Sequence, residues 1–170
     1  MLEESKISPG DVEEITAFIG PYAYGVVGRP FEPGRSPQAS AQFNLQYAIA
    51  SLMVRGPLML EHYEDGAVLH DGVLGFLRRV HVVEDPSIDT EFRSRLSISL
   101  RGGSRVEVEC GPPRGHPENP MSRDEVIEKF MRNARRSSRP LDDGAAKEVV
   151  GRVLRMESMG DVKELVELLA

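Results

Sequence analysis

The sequence predicts an α+β fold: a small module of antiparallel strands and a central apolar helix, followed by a helical carboxyl-terminal extension. Three observations predict it. Leu96-Ser97-Ile98-Ser99-Leu100 and Val106-Glu107-Val108-Glu109-Cys110 alternate apolar and polar residues on either side of Gly102-Gly103, as two half-buried strands of a hairpin do. Ser36 to Arg55 carries a long run of small and apolar residues opened by a hydroxyl and a proline, the signature of a helix. Beyond about residue 118, helical patterns follow one another and no strand signal remains. The division expected is therefore an α+β domain over 1–118 and a helical extension over 119–170.

Each element has its own reason. Residues 1 to 10 are mostly polar and end in Pro9-Gly10, so a short frayed start is expected. From Val12 to Ile19, alternation of Ile15, Ala17 and Ile19 reads as a strand. Gly20 to Arg35 holds four glycines and three prolines and reads as an unusually long loop, with Tyr22 and Tyr24 placed to be pinned against a partner. Ser36 caps and Pro37 starts the helix that Gly56-Pro57 stops. Leu58 to Tyr63 reads as one short helix and Asp71 to Leu77 as another, burying Val73, Leu74 and Leu77. Val80 to Val83 is a strand ended by Asp85-Pro86. Ser122 and Glu125 form an S-x-x-E capping box, in which each side chain satisfies an orphan backbone N–H. Val126, Ile127 and Phe130 then supply an apolar face, and helices are expected at about 123–136, 143–157 and 161–169.

Composition narrows the function classes. At 170 residues, with 40% hydrophobic and 28% charged residues, the chain can bury a sizeable core in the ordinary globular way. A net charge of −6 disfavours general nucleic-acid binding, because no positive excess releases counterions from phosphates. No apolar run approaches the roughly 20 residues of a membrane span. No basic-then-apolar leader opens the chain, and its one cysteine, Cys110, has no internal disulfide partner. A cytoplasmic location follows as the expectation.

Residues able to carry chemistry are few. Tyr47 shares a helical face with Phe43, Ala50 and Val54, so a core tyrosine with its hydroxyl at the rim and a reactive tyrosine are both open. Gln42, Asn44 and Gln46 are polar residues in an apolar helix, able to line a substrate cleft, face solvent or make structural hydrogen bonds. His116, between Gly115 and Pro117, is of a residue type that can act as acid, base or carboxylate anchor, or it can simply lie exposed. Arg114 and Arg101 can each bind a carboxylate through a forked pair of hydrogen bonds. His62, His70 and His81 show no metal-ligand spacing with one another or with Cys110, so no metal is expected. There is no G-x-G-x-x-G after a strand, no P-loop and no G-x-S-x-G, so no nucleotide cofactor and no serine hydrolase chemistry is expected.

Two segments together carry a family resemblance. Gln42-Phe43-Asn44-Leu45-Gln46-Tyr47-Ala48-Ile49-Ala50, and Gly115-His116-Pro117-Glu118-Asn119-Pro120-Met121-Ser122 through Phe130, resemble the carboxyl-terminal part of the MmgE/PrpD family. Asp85-Pro86 after an apolar strand and the acidic-apolar tail from Asp161 to Leu169 extend the resemblance. That family includes 2-methylcitrate dehydratase, cis-aconitate decarboxylase and iminodisuccinate epimerase. The resemblance implies a large all-helical domain and a smaller α+β lid, with the active site between them. It implies metal-free elimination, decarboxylation or epimerisation next to a carboxylate, carried by histidines, an aspartate and lysines. Those residues belong mostly to the large domain and the start of the lid, which this sequence does not contain. It fits the lid from just after its first helix, then the returning helices. In related decarboxylases a tyrosine at the motif position of Tyr47 faces the substrate pocket.

Set against the residues missing here, the resemblance leads to the expectation of a chain inactive by itself: the lid part or one subunit of a split lyase or isomerase, needing a separate helical domain or partner and taking a small di- or tricarboxylate. Apolar residues of the tail, among them Val149, Val153, Leu154, Val162, Leu165 and Val166, support an interface there. The alternative is a non-catalytic homo-oligomeric remnant or carboxylate-binding module of the same fold. A third reading keeps the shared fold and assigns an unrelated regulatory role.

Overall fold

A computed structural model describes residues 7–90 and 92–169, the side chain of Asp65 apart. Of the expected frayed start, residues 1–6 lie outside the described residues. The chain divides between Pro112 and Pro113 into two compact units.

The first unit is built on a four-stranded mixed sheet of order β2-β1-β3-β4. Its strands are β1 (Val12–Ile19), β2 (Val80–Glu84), β3 (Ser94–Leu100) and β4 (Arg105–Cys110). The expected hairpin is present as the antiparallel β3–β4 pair, and β1 pairs antiparallel with β3. β1 and β2 run parallel, so their link must cross over, and the residues between them form that crossover. Register lines up Val80, Ile15, Ile98 and Val106 across the four strands on one face. The neighbouring row, His81, Thr16, Ser97 and Glu107, is polar and lies on the other face. Helices of this unit pack on the apolar face.

Those helices are α1 (Pro21–Val27), α2 (Pro37–Gln42), α3 (Leu45–Arg55), α4 (Asp65–Val68) and α5 (Asp71–Leu77), with a 3-10 turn at Leu60–Tyr63. The core joins Ile15, Ala17, Val80 and Ile98 of the sheet to Tyr47, Ile49, Ala50, Val73 and Phe76 of the helices. In α5 Phe76 is buried with Val73, whereas Leu74 and Leu77 are half-buried.

Two expectations need correction. The long loop at 20–35 is a helix over its first half: Pro21 opens α1 and Tyr24 N–H donates to Gly20 O at 2.9 Å. The many glycines and prolines hid a short helix whose termini they build. The expected single helix over 37–55 is two helices, because Asn44 stands between them as a cap. Its Oδ1 accepts from Tyr47 N–H at 2.8 Å, while Phe43 turns out to 65% exposure and leaves the face it was expected to share with Tyr47.

The second unit comprises α6 (Arg123–Ala134), α7 (Asp143–Val153) and α8 (Lys163–Glu167), with a 3-10 turn at Met156–Ser158. α6 carries the expected capping box: Ser122 Oγ accepts from Glu125 N–H at 3.2 Å, and Glu125 Oε2 accepts from Ser122 N–H at 2.7 Å. Asp142 caps α7 through Ala145 N–H at 2.8 Å. α7 touches both α6 and α8, and Ala134, Ala146, Val149 and Leu165 are buried. Val149 and Leu165, counted above among the tail residues that support an interface, thus form this unit's own core. Val153, Leu154, Val162 and Val166 remain exposed.

Candidate functional site

In the first unit, the polar residues of the 42–47 segment fall at one end of α3. Tyr47 is fully buried. Its hydroxyl donates to His62 O at 2.7 Å and accepts from Arg55 Nη2 at 2.7 Å, so the rim position expected for it is corrected. Arg55 lies two helical turns after Tyr47, with Ser51 midway, so the three share a stripe. Ser51 Oγ accepts from Arg55 Nη2 at 2.7 Å, and Arg55 Nη1 donates to Ala67 O at 3.0 Å. The guanidinium thus ties the 3-10 turn and α4 to α3. Beside it, burial and then the positive Arg55 push the His62 pKa below its ordinary value, and burial pushes that of Tyr63 up.

Asn44 and Gln46 bind backbone. Asn44 Nδ2 donates to Arg29 O at 2.8 Å. Gln46 Oε1 accepts from Phe31 N–H at 2.7 Å, and its Nε2 donates to Leu77 O and Val80 O, each at 3.0 Å. Gln42, the last residue of α2, is exposed. Of the four residues expected to contact substrate, two therefore hold the segment 28–36 in place, and the third faces outward.

The fourth, Arg114, belongs to the second unit with His116. Gly115 adopts φ +99°, a left-handed conformation that favours glycine, and its N–H donates to Asn119 O at 2.8 Å, closing a tight loop. Within it His116 Nδ1 accepts from Glu118 N–H at 3.1 Å, which leaves the proton of the neutral imidazole on Nε2. Arg114 Nε donates to Glu125 Oε1 at 2.9 Å, its Nη2 bonds the other carboxylate oxygen, and its Nη1 donates to Asn119 Oδ1 at 2.9 Å. Arg114 and the Ser122 cap hold the Glu125 pKa down at about 2. Arg114 is thus the bracket between the loop and the helix start. Arg101, in the first unit, donates instead to backbone, at Gly10 O.

Sequence reasoning passed over one feature and marked two others only in outline. On the open face of the sheet, Arg95 lies over the Phe18 ring at 3.9 Å and between Asp85 and Glu107, each at 3.5 Å. Their positions on the polar side of each strand were the available signal. A cleft of about 460 Å³ opens beside Tyr24, Arg29 and Glu32, inside the stretch read as an unusually long loop. In the second unit, an apolar groove of about 220 Å³ runs between α6 and α7, lined by Val126, Ile127, Phe130, Val149, Val150 and Val153. Among the described residues, no group of three or more His, Cys, Asp or Glu side chains is placed to hold a metal ion, and no helix is long and apolar enough to cross a membrane.

Comparison with known proteins gives concordant findings. The family model described as MmgE/PrpD C-terminal domain matches residues 1–153. The chain is similar to the cis-aconitate decarboxylase-like protein oryM of Aspergillus oryzae, with 26% identity over 132 residues, 76% of this chain and 27% of that protein. It is also similar to the cis-aconitate decarboxylase of Mus musculus, with 25% identity over 171 aligned residues, 98% of this chain and 33% of that protein. The chain spans a third or less of the length of these curated relatives.

Proposed function

The chain belongs to the MmgE/PrpD family through its carboxyl-terminal domain, and from that premise we propose that it is the lid part of a lyase or isomerase acting on a small di- or tricarboxylate. On this reading it works only with a separate helical domain. The observation that carries the proposal is the open apolar groove between α6 and α7, with Val126 and Val153 about half exposed beside it. Surface of that kind is held in water at a cost unless another apolar element covers it.

The state of the candidate residues supports the same conclusion. General acid–base chemistry needs a proton donor or acceptor within reach of substrate. Tyr47, Asn44 and Gln46 have their polar atoms engaged inside the first unit, and Arg114 is engaged with Glu125 and Asn119. His116, whose Nδ1 accepts from Glu118 N–H, is the remaining candidate for such a role. One imidazole supplies half of an acid–base set, and the helical domain supplies the rest. The relatives named for cis-aconitate decarboxylation point to polycarboxylates as the substrate class.

A second reading, a homo-oligomeric carboxylate-binding module without catalysis, draws on the internal engagement of Tyr47. One experiment separates the two. The tagged chain is purified natively from its own cells, and the product is assayed on cis-aconitate and 2-methylcitrate. A stoichiometric complex with an all-helical chain of MmgE/PrpD amino-terminal character, active where the isolated chain is not, is the expected result. Recovery as a stable homo-oligomer with no turnover overturns the split-enzyme reading.

A further inference from the structure

We propose that the cleft at Tyr24, Arg29 and Glu32 is a preformed binding site for one carboxylate group of a small polycarboxylate, with Arg29 as its anchor. The inference takes from the preceding reading only the substrate class. It rests on how the segment 28–36 is held. That stretch has no helix or strand of its own, yet three side chains, from α2, α3 and the cap between them, grip its backbone at alternate residues. Asn44 Nδ2 donates to Arg29 O at 2.8 Å, Gln46 Oε1 accepts from Phe31 N–H at 2.7 Å, and Ser40 Oγ donates to Pro33 O at 3.1 Å. Pro30 and Pro33 fix two more backbone angles. Inside, the Phe31 ring packs on Tyr47 with centroids 5.0 Å apart.

The grip is on the inner side, so Arg29 and Glu32 stand outward, both exposed and lining the cleft. Neither side chain pairs with the other or with any group among the described residues. The cleft wall is fixed as well. Gly28 is buried, and a Cβ there would lie 2.3 Å from Tyr24 Cδ2, so the Tyr24 ring rests where any other residue would put a side chain. The arrangement presents a forked guanidinium, a phenol and a carboxylate around a space of about 460 Å³, on backbone that is already held in place before binding. A guanidinium fork matches a carboxylate in two parallel hydrogen bonds. Glu32 repels a second carboxylate at the same spot and accepts from a hydroxyl, so the favoured ligand carries a carboxylate and a hydroxyl a few ångströms apart.

This account gives Asn44 and Gln46 a use that touches no ligand: they are positioning residues for Arg29. The test uses the whole chain and citrate as probe, followed by amide shifts in NMR. Saturable shifts at Gly25, Gly28 and Arg29 are expected, with affinity reduced at least about tenfold in Arg29→Ala. Arg29→Lys, which keeps the charge and loses the fork, should fall between the two. Thermal unfolding should be unchanged in both variants, since the Arg29 side chain makes no bond among the described residues. No saturable shift, shifts that survive Arg29→Ala, or equal binding of inorganic phosphate at the same amides overturns the proposal. None of these outcomes depends on whether a helical partner exists, so the cleft and the split enzyme stand or fall separately.

Discussion

Removing the Tyr47 hydroxyl isolates a single buried polar contact whose size follows from its partners. In Tyr47→Phe the ring stays, so packing against Phe31 and Tyr63 is kept. What is lost is a bond donated by the charged Arg55 at 2.7 Å and one donated to His62 O at 2.7 Å. Neither partner is left bare. Arg55 retains Ser51 and Ala67, and His62 O retains Arg55 Nη2 at 3.2 Å. A neutral bond contributes about 1 kcal/mol and one to a charged group about 1.5–3 kcal/mol, so their loss with partial compensation predicts a cost of about 2–3 kcal/mol. Urea unfolding followed by tyrosine fluorescence and circular dichroism, at constant m-value, measures it. A double-mutant cycle with Arg55→Met should return a coupling of about 1–2 kcal/mol. A cost below about 0.5 kcal/mol, or no coupling, would refute the assignment of Tyr47 as an internal tie and return its hydroxyl to the surface.

Other consequences are as specific. Gln46→Leu leaves Phe31 N–H, Leu77 O and Val80 O without this partner and should cost about 2 kcal/mol in the same unfolding assay. The Glu125 pKa is depressed from 4.5 to about 2 by Arg114 and the Ser122 cap. Its stabilisation is therefore complete above pH 4.5 and is lost as pH falls toward 2. Carboxyl NMR titration should find the low midpoint, and Arg114→Ala should raise it. The His62 pKa is lowered, so the first unit holds its full stability from this group above pH 6.5 and loses it as pH falls below that value. A His62 imidazole midpoint at or above 6.5 would contradict the burial described. Val126→Asp places a charge in the α6/α7 groove at a position 53% exposed, so it should leave the isolated chain folded and abolish assembly with a helical partner in size-exclusion chromatography.

What was legible in the sequence is what periodicity encodes. Val12–Ile19, Asp71–Leu77 and the β3–β4 hairpin announce themselves by alternation or helical spacing, and Ser122 with Glu125 by a motif whose chemistry is local. Asn44 was misread because its neighbours all favour helix. Only the hydrogen bond to Tyr47 N–H reveals that the chain restarts there. Tyr47, Ser51 and Arg55 do form a polar stripe at helical spacing, so the hydroxyl's donor was within reach of a sequence argument. His62, its acceptor through a backbone oxygen, was not. The Arg29 cleft was hidden for a similar reason: its rigidity comes from contacts between residues fifteen apart.

The placement of β1 at the interior of the sheet governs how the first unit comes into being. Val12 pairs with Leu100 and Ile15 with Val80, so both neighbours of this early strand emerge from the ribosome long after it does. Until then β1 is an apolar segment with two unmet edges. The second unit, with contacts between successive helices, has no such wait. Folding of the first unit is accordingly set by the slow closure of long chain segments. Nascent chains stalled before about residue 100 should stick to chaperones and to one another.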